Sequence, residues 1–184
     1  MEILVVRHGV TELNVRGLLN GEIDEPLLPE GFKQAKLLVP SIPKYITQID
    51  TSAMLRARQT AGVIGSALEL PITSHPELVE VNYGAFAGTT WAIVGEEQLR
   101  RYRSLTYDFR PYGGSEASED RERIGRYLEE VYEEGNDGGR LVVTHGGVIR
   151  HMHVLDRGDL IDEMLDNLEF ETYNVERMLA NLKR

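Results

Sequence analysis

Two short apolar runs in the sequence are each followed by a histidine and a glycine. VVRHG occupies residues 5–9, and VVTHG occupies residues 142–146. An imidazole can act as a nucleophile toward phosphorus, which splits one difficult displacement into two easier ones. Arg7 stands beside His8, and its guanidinium can fork onto phosphate oxygens. If the two histidines meet at one site, they would suit chemistry on an anion.

A further cation, Arg56, follows another predicted strand. Ser52 is predicted to cap a helix that begins at Met54, which would bring backbone N–H groups and Arg56 to the same edge of a sheet. Arg56 and Arg58 are two positions apart, so they point away from each other on a helix and only one can face the site. We expect Arg56 to face the site and Arg58 to lie in solvent.

These residues must be positioned by alternating strands and helices. The pattern predicts strands at 3–6, 45–51, 71–73, 141–143 and 170–175, and helices at 32–38, 54–68, 91–103, from Ser115 or Ser118 to 134, at 147–154, and in an acidic segment before the last strand. Loop or irregular structure is predicted at 17–31, 75–90 and 104–115, and a turn at 136–139. Such alternation is typical of a three-layer α/β/α sandwich with a mostly parallel central sheet, where ligands bind beyond the carboxyl ends of the strands.

Composition narrows the class of protein. The 184 residues are 41% apolar and 27% charged, with a net charge of −10 and no cysteine. A chain of this length predicts one domain over residues 1–184. Its acidity argues against nucleic acid or anionic membranes as partners, and the lack of cysteine excludes thiol catalysis by this chain. No signal peptide or run of membrane-spanning length is apparent, so we expect a cytoplasmic protein whose oligomeric state is left open.

The ordered set of segments resembles the histidine phosphatase superfamily, the phosphoglycerate-mutase-like proteins, over nearly the whole chain. The segments that carry this resemblance are 7–11 with Asn14, 21–24, 26–27, Gly31, 34–35, 52–61, 78–80, Gly84, Gly88, 113–114 and 144–150. The arginine-histidine-glycine triplet alone would be weak, whereas the ordered set is highly specific. The resemblance implies the three-layer fold, with residues 82–115 as an insertion that sets substrate specificity.

The resemblance also implies a role for each matching residue. His8 resembles the nucleophile that accepts the phosphoryl group, and Glu80 resembles the acid that protonates the leaving oxygen and then activates water. Arg7, Arg56 and His145 resemble the pocket that holds the non-bridging oxygens. The implied substrate-binding residues are Arg7, Asn14, Asn20, Gly21, Arg56, His145 and Gly146.

The chain departs from the family pattern at several places. Leu18 and Asn20 stand where an arginine and a glutamine are frequent, and residues 86–88 and 114–116 also differ. These departures leave the catalytic set intact but prevent the transfer of any particular substrate. Glu77 is an alternative acid that fits the family spacing less well than Glu80 does.

We therefore predict a phosphatase that hydrolyses a small phosphorylated metabolite through a phosphohistidine on His8, with no cofactor and no metal. A phosphoglycerate mutase is the alternative, and it would return the phosphoryl group to a bound product. The stretch from Gly88 to Gly113 is shorter than in members that resemble the cofactor-dependent mutases, which favours hydrolysis. A non-catalytic phospho-ligand binder is the third alternative, although such a protein should lack the nucleophile or the acid.

Other polar groups receive plainer interpretations. His151 and His153 are two positions apart and do not share a helix face, and His75 is distant in sequence, so no metal site is expected. Residues 100–103 (RRYR) are predicted to form a solvated helix face rather than a nucleic-acid patch. The alternative is that one residue of this region overhangs the pocket and selects the substrate: Arg100, Arg103 or Tyr107.

Overall fold

A five-stranded sheet forms the centre of the molecule. The computed structural model describes residues 1–135, 138–161 and 165–183. The strands in this part of the chain are β1 (Glu2–Arg7), β2 (Ile46–Ser52), β3 (Ile72–His75), β4 (Gly139–Thr144) and β5 (Phe170–Asn174). Their order is β3-β2-β4-β1-β5, in which the first four are parallel and β5 runs antiparallel to β1 at the edge.

Helices cover both faces of this sheet. Their bounds are α1 (Glu12–Val15), α2 (Pro29–Leu38), α3 (Leu55–Leu68), α4 (Trp91–Val94), α5 (Glu96–Arg103), α6 (Ala117–Glu134), α7 (Gly146–Arg157) and α8 (Val175–Leu182). Successive strand residues point to opposite faces. Leu4 and Val6 of β1 therefore pack with α2 and α3, whereas Ile3 and Val5 pack with α6, α7 and α8. The predicted three-layer α/β/α sandwich is confirmed.

The sheet order brings the two histidines together. β1 lies beside β4, with Arg7 opposite Thr144. His8 and His145 directly follow these two residues, so both leave the sheet at the same edge. This is the edge beyond the carboxyl ends of the parallel strands, where ligands bind in open α/β sheets.

Residues 82–115 form an aromatic cluster of their own. Its buried rings are Tyr83, Tyr102, Tyr107 and Phe109. The cluster also contains Leu19 and Val81, so the segment packs against two loops that carry predicted site residues. That this segment sets substrate specificity stays a prediction, as does the assignment of residues 1–184 to one domain.

Several predicted element boundaries are wrong for identifiable reasons. α2 begins at Pro29, inside a predicted loop, because proline suits the first turn of a helix. The predicted helix over 91–103 is two helices, since Gly95 between them has a φ of 98°. α7 extends beyond the predicted 147–154 and ends where Gly158 adopts the left-handed conformation.

Two helix starts also differ from the prediction. Glu116 occupies the N-cap of α6, where its backbone N–H donates to the Glu119 carboxylate at 3.0 Å; neither Ser115 nor Ser118 caps the helix. The predicted strand over 170–175 includes Val175, which instead begins α8, a helix that the sequence pattern did not predict. The Asn174 side chain caps this helix and stops β5 at that residue.

Parts of two predictions lie outside the described residues. These are residues 136–137 of the predicted turn and residues 162–164 of the acidic segment predicted as a helix. Across the ranges that the structure describes, no helix combines the length and the apolar character needed to cross a membrane.

Candidate active site

His8 is buried where β1 ends, and its two ring nitrogens have different partners. Nδ1 lies 2.8 Å from the Gly9 carbonyl oxygen, so this nitrogen carries the proton and donates it. Nε2 accepts from the Arg56 Nε–H at 3.2 Å. Burial, and then the charges of Arg56 and Arg7, hold the pKa of His8 well below its usual value. His8 is therefore a neutral imidazole whose Nε2 lone pair faces a cation.

His145 lies next to His8 at the start of α7. The two ring centroids are 5.1 Å apart, and His145 Nε2 lies 2.7 Å from the Ser52 hydroxyl. Ser52 is not the predicted helix cap, because it ends β2 and Met54 occupies the N-cap of α3. The Ser52 hydroxyl accepts from the Met54 N–H at 3.2 Å and can donate to His145 Nε2. In the tautomer in which Ser52 donates to Nε2, the His145 proton lies on Nδ1, which has no partner among the described residues.

This unpartnered Nδ1 makes His145 a ready donor to an anion. The His145 side chain is fully buried, and burial, followed by the charge of Arg56, holds its pKa well below the usual value. A buried donor without an acceptor costs free energy that a bound oxygen would recover. His145 therefore suits a phosphate oxygen while remaining neutral.

Arg56 is fully buried in the first turn of α3. Its Nη1 donates to the Ile23 carbonyl at 2.9 Å and its Nη2 to the Gly21 carbonyl at 3.2 Å. Burial lowers the pKa of Arg56 somewhat, but an arginine remains charged. Arg58 is exposed, as the two-residue spacing predicts. Gly21 thus meets Arg56 through its carbonyl group.

Arg7 and His8 are held by a segment that sequence reasoning did not identify. Arg7 Nη1 donates to the Leu165 carbonyl at 2.9 Å, and the Leu168 N–H donates to the Arg7 carbonyl at 3.0 Å. The Asn167 amide donates to the His8 carbonyl at 2.7 Å. Leu168 adopts a φ of 66°, which is strained for a leucine. No sequence signal marks this segment, because Asn167 and His8 are 159 positions apart.

Asn14 and Asn20, which were predicted to bind substrate, are hydrogen-bonded to each other through their side chains. Asn14 Nδ2 donates to Asn20 Oδ1 at 2.9 Å, and Asn14 Oδ1 accepts from Asn167 at 3.3 Å. Asn20 is buried and also donates to the Glu25 carboxylate. Asn14 therefore lies in a network that reaches the backbone of His8 through Asn167.

Glu80 lies in the loop that follows a 3₁₀ turn at Pro76–Leu78, and it is 8% exposed. Its Oε1 accepts from the N–H groups of Val81 and Gly147 at 2.9 Å each. Burial raises the pKa of Glu80, and this effect outweighs the opposing effects of the Val81 amide, Arg56, Arg7 and the Gly147 amide. A carboxyl group with a raised pKa is suited to proton transfer.

The positions of Gly146 and of the alternative acid Glu77 complete the description of the predicted residues. Gly146 is the first residue of α7, at the positive end of a 12-residue helix. Glu77, the alternative acid, is half-buried, and its charge contributes to raising the pKa of His75.

The structure thus brings His8, His145 and Arg56 into direct proximity, with Arg7 and Glu80 close enough for their charges to interact. The site combines two neutral imidazoles, two guanidinium groups and one carboxyl group of raised pKa. Such a set can bind a dianion, attack it and move a proton. The role of each residue remains a prediction at this point.

The remaining histidines have separate partners. His75 contacts Asp50, and His151 Nε2 lies 2.8 Å from the Tyr107 hydroxyl. His153 lies 3.2 Å from Asp159. Among the described residues, no group of three or more histidine, aspartate or glutamate side chains could hold a metal ion.

The basic run at 100–103 lies on α5. Arg100 and Arg101 are exposed and pair with Glu97, while Tyr102 points into the aromatic cluster. Tyr107, a candidate substrate selector, is buried and donates to Asp120 at 2.8 Å.

Comparison with characterised proteins connects this geometry to phosphoryl transfer. A metal-independent phosphoserine phosphatase of Arabidopsis thaliana is 30% identical over 160 residues, which cover 83% of this chain and 67% of that protein. A 2,3-bisphosphoglycerate-dependent phosphoglycerate mutase of Cytophaga hutchinsonii is 32% identical over 157 residues, or 80% of this chain and 73% of the mutase.

A solved structure and a family model also match this chain. A mycobacterial glucosyl-3-phosphoglycerate phosphatase, solved with VO3, superposes on this chain with a TM-score of 0.82 and 23% sequence identity. The superposition covers 93% of this chain and 91% of the phosphatase chain, so the two share a fold. The family model of the histidine phosphatase superfamily (branch 1) matches residues 3–170. The chain that places His8 beside His145 and Arg56 therefore belongs to the histidine phosphatase superfamily.

Proposed function

We propose that this protein is a phosphomonoesterase that hydrolyses a small phosphorylated metabolite through a phosphohistidine on His8. The state of His8 carries the proposal: its Nδ1–H is held by the Gly9 carbonyl, and its neutral Nε2 faces Arg56. Attack on phosphorus needs a ring nitrogen that is both neutral and aimed. The relatives named as phosphatases support hydrolysis as the reaction.

In the first step, His8 Nε2 attacks the phosphorus atom while the bond to the leaving oxygen breaks. Arg7, Arg56 and the His145 Nδ1–H stabilise the three non-bridging oxygens, where most of the transition-state charge lies. Arg56 Nε–H, which bonds to His8 Nε2 in the free site, turns to a phosphate oxygen. Glu80 gives its proton to the leaving alkoxide, and its raised pKa favours the protonated form that this requires.

In the second step, the Glu80 carboxylate takes a proton from water, and the resulting hydroxide attacks the phosphohistidine. The bond between phosphorus and Nε2 breaks, and inorganic phosphate leaves. His8 recovers its lone pair, and Glu80 is again protonated for the next substrate. The N–H groups of Val81 and Gly147 hold the carboxylate through both steps.

The other predicted binding residues support this cycle in different ways. Asn14 contacts the phosphate in this cycle, and Asn20 fixes the orientation of Asn14 through a 2.9 Å hydrogen bond. Gly21 holds Arg56 through its carbonyl. Gly146 contributes the positive end of α7.

The proposed substrate is a small phosphorylated molecule, with residues 82–115 selecting among candidates. The net charge of −10 supports a small substrate rather than a nucleic acid or an anionic membrane as the partner. A cytoplasmic location remains a prediction from the sequence.

A phosphoglycerate mutase is the second candidate function. The mutase relative is 32% identical and the phosphatase relative 30%, so identity does not separate the two. A mutase would use the same residues but keep the phosphohistidine from water. We prefer hydrolysis because the stretch between Gly88 and Gly113 is short and offers little chain to cover the site.

The first experiment compares the purified protein with its His8→Ala variant on p-nitrophenyl phosphate. We expect hydrolysis by the natural chain and none above background by the variant. Hydrolysis that survives the substitution would overturn His8 as the nucleophile.

The second experiment separates the two candidate functions. Phosphate release from 3-phosphoglycerate is measured beside the 2,3-bisphosphoglycerate-dependent interconversion of 2- and 3-phosphoglycerate. An interconversion faster than phosphate release from any phosphomonoester tested would make the protein a mutase.

A further inference from the structure

The loop that carries Glu80 is held from outside on its N-terminal side. After the turn at Pro76–Leu78 the loop has no regular secondary structure, so its own hydrogen bonds do not define its path. Arg123 of α6 donates from Nη1 to the Val79 carbonyl at 2.8 Å and also to the Glu77 carbonyl. One guanidinium nitrogen thus anchors the backbone one residue before Glu80.

Asp120 holds Arg123 in this position. Its Oδ1 accepts from Arg123 Nη2 at 2.7 Å, and its Oδ2 accepts from Ser115 Oγ at 2.6 Å and from the Tyr107 hydroxyl at 2.8 Å. Asp120 is 3% exposed, so this buried carboxylate is both paired with a cation and hydrogen-bonded on each oxygen. Such a fully satisfied network restricts the guanidinium to one orientation.

The same network reaches the loop on its C-terminal side. The Ser115 N–H donates to the Asn82 carbonyl at 2.9 Å, two residues after Glu80. The Val79 and Asn82 carbonyls, on either side of Glu80, are therefore fixed by groups that meet at Asp120. Independently of Asp120, the Thr144 hydroxyl donates to the Leu78 carbonyl at 2.8 Å and connects the loop to the residue before His145.

We propose that Arg123, oriented by Asp120, is a positioning residue that sets the Glu80 carboxyl group against the leaving-group oxygen. This inference rests on the proposed function of Glu80 as the acid. Arg123 acts through the backbone, since the hydrogen bonds of the Glu80 carboxylate come from Val81 and Gly147. Among catalytic steps, it should influence those in which Glu80 moves a proton.

Comparing substrates with different leaving groups distinguishes this positioning role from a general structural role. An alkyl phosphate requires protonation of its leaving oxygen, whereas p-nitrophenolate leaves with little help. General acid catalysis contributes about 10²- to 10⁴-fold, and misplacing a catalytic group can cost about 100-fold. Arg123→Met displaces Glu80 without removing it, so it should lower kcat/KM for an alkyl phosphate by about 10- to 100-fold. The loss on p-nitrophenyl phosphate should stay below about threefold, because that leaving group needs little acid.

Three further variants accompany Arg123→Met: a control, a conservative replacement and a milder change in the same network. Arg126 lies three positions further along α6 and is exposed, so Arg126→Met should leave both activities unchanged. Arg123→Lys keeps the charge and one donor nitrogen, and it should recover part of the alkyl phosphatase activity. Ser115→Ala removes one hydrogen bond to Asp120 and offers a milder test if thermal unfolding shows that Arg123→Met is not folded.

Glu80→Gln, alone and combined with Arg123→Met, completes the experiment. If Arg123 acts through Glu80, the double variant should show no greater preference for the aryl substrate than Glu80→Gln alone. Equal losses on both substrates in folded Arg123→Met or Ser115→Ala would overturn the positioning role, as would an added preference in the double variant. If Glu80→Gln itself shows no preference, the proposed function of Glu80 fails independently of Arg123.

Discussion

Arg56 offers a sharp test of the site, because a matched control lies on the same helix. Arg56 is fully buried against His8, whereas Arg58 is exposed. Arg56→Met removes the charge and the donor that faces His8 Nε2 while keeping an unbranched side chain. Arg58→Met makes the same chemical change in solvent, so it corrects for any general effect of losing a cation.

The contact between Arg56 and His8 allows an estimate of how far kcat/KM should fall. A guanidinium about 4 Å from a developing charge contributes about 4 kcal/mol at an effective dielectric constant near 20. Removing one preorganised oxyanion donor in an enzyme costs about 10²- to 10³-fold in kcat. We therefore expect Arg56→Met to lower kcat/KM by about 10³-fold, which equals about 4 kcal/mol. Arg56→Lys should lower kcat/KM by about 10- to 100-fold, because lysine keeps the charge but not the bidentate geometry of the guanidinium.

A stability effect must be measured separately. Arg56 also donates to the carbonyls of Ile23 and Gly21. Leaving the buried Gly21 carbonyl without a donor costs about 1–3 kcal/mol, so the variant should unfold at lower temperature. Its kcat/KM is therefore measured on p-nitrophenyl phosphate well below the unfolding transition.

Two results would refute this reasoning about Arg56. A folded Arg56→Met variant within about tenfold of the natural chain would be far below the loss expected for an oxyanion donor. An equal loss in Arg58→Met would show that general charge, rather than the buried contact with His8, determines the rate.

Three further predictions follow from buried groups. Because burial raises the pKa of Glu80, kcat/KM for an alkyl phosphate should fall as pH rises through that pKa, and a pH profile of Glu80→Gln should lack this decline. A Cβ at Gly147 would lie 2.4 Å from Glu80 Oε1, so Gly147→Ala should slow alkyl phosphates more than aryl phosphates in steady-state assays; equal slowing would contradict this. Chiefly because His75 Nε2 lies 3.4 Å from the Asp50 carboxylate, the pKa of His75 is raised, so its contribution to stability is present below the ordinary pKa and is lost as pH rises through the raised one. His75→Gln should therefore destabilise the protein more at about pH 6 than at about pH 9 in urea unfolding, and equal destabilisation would contradict the pairing.

Most of the candidate site residues were predictable because they stand at the ends of regular elements, whereas Glu80, which lies in a loop, was implied only by the family resemblance. Strand periodicity locates His8 and His145 directly after β1 and β4, and helix spacing separates Arg56 from Arg58. These are local relations between positions that are close in sequence. The three-layer fold was predictable for the same reason, since it follows from alternating local elements.

The parts that were not predicted depend on long-range contacts. Ser52 was expected to cap a helix, yet its hydroxyl meets His145, which is 93 positions away. Asn167 reaches the backbone of His8, and Arg123 reaches Val79, through packing that no local pattern shows. Side chains of this kind become recognisable only when the elements have been placed.

The central claim is that His8 carries the phosphoryl group during turnover, and rapid-quench trapping tests it most directly. The protein is mixed with a ³²P-labelled phosphomonoester, quenched in alkali within a single turnover and digested for mass spectrometry. We predict a base-stable, acid-labile phosphoryl group on His8 that is absent from His8→Ala. A phosphoryl group on His145, or product formation in a single turnover with no labelled protein, would contradict the account.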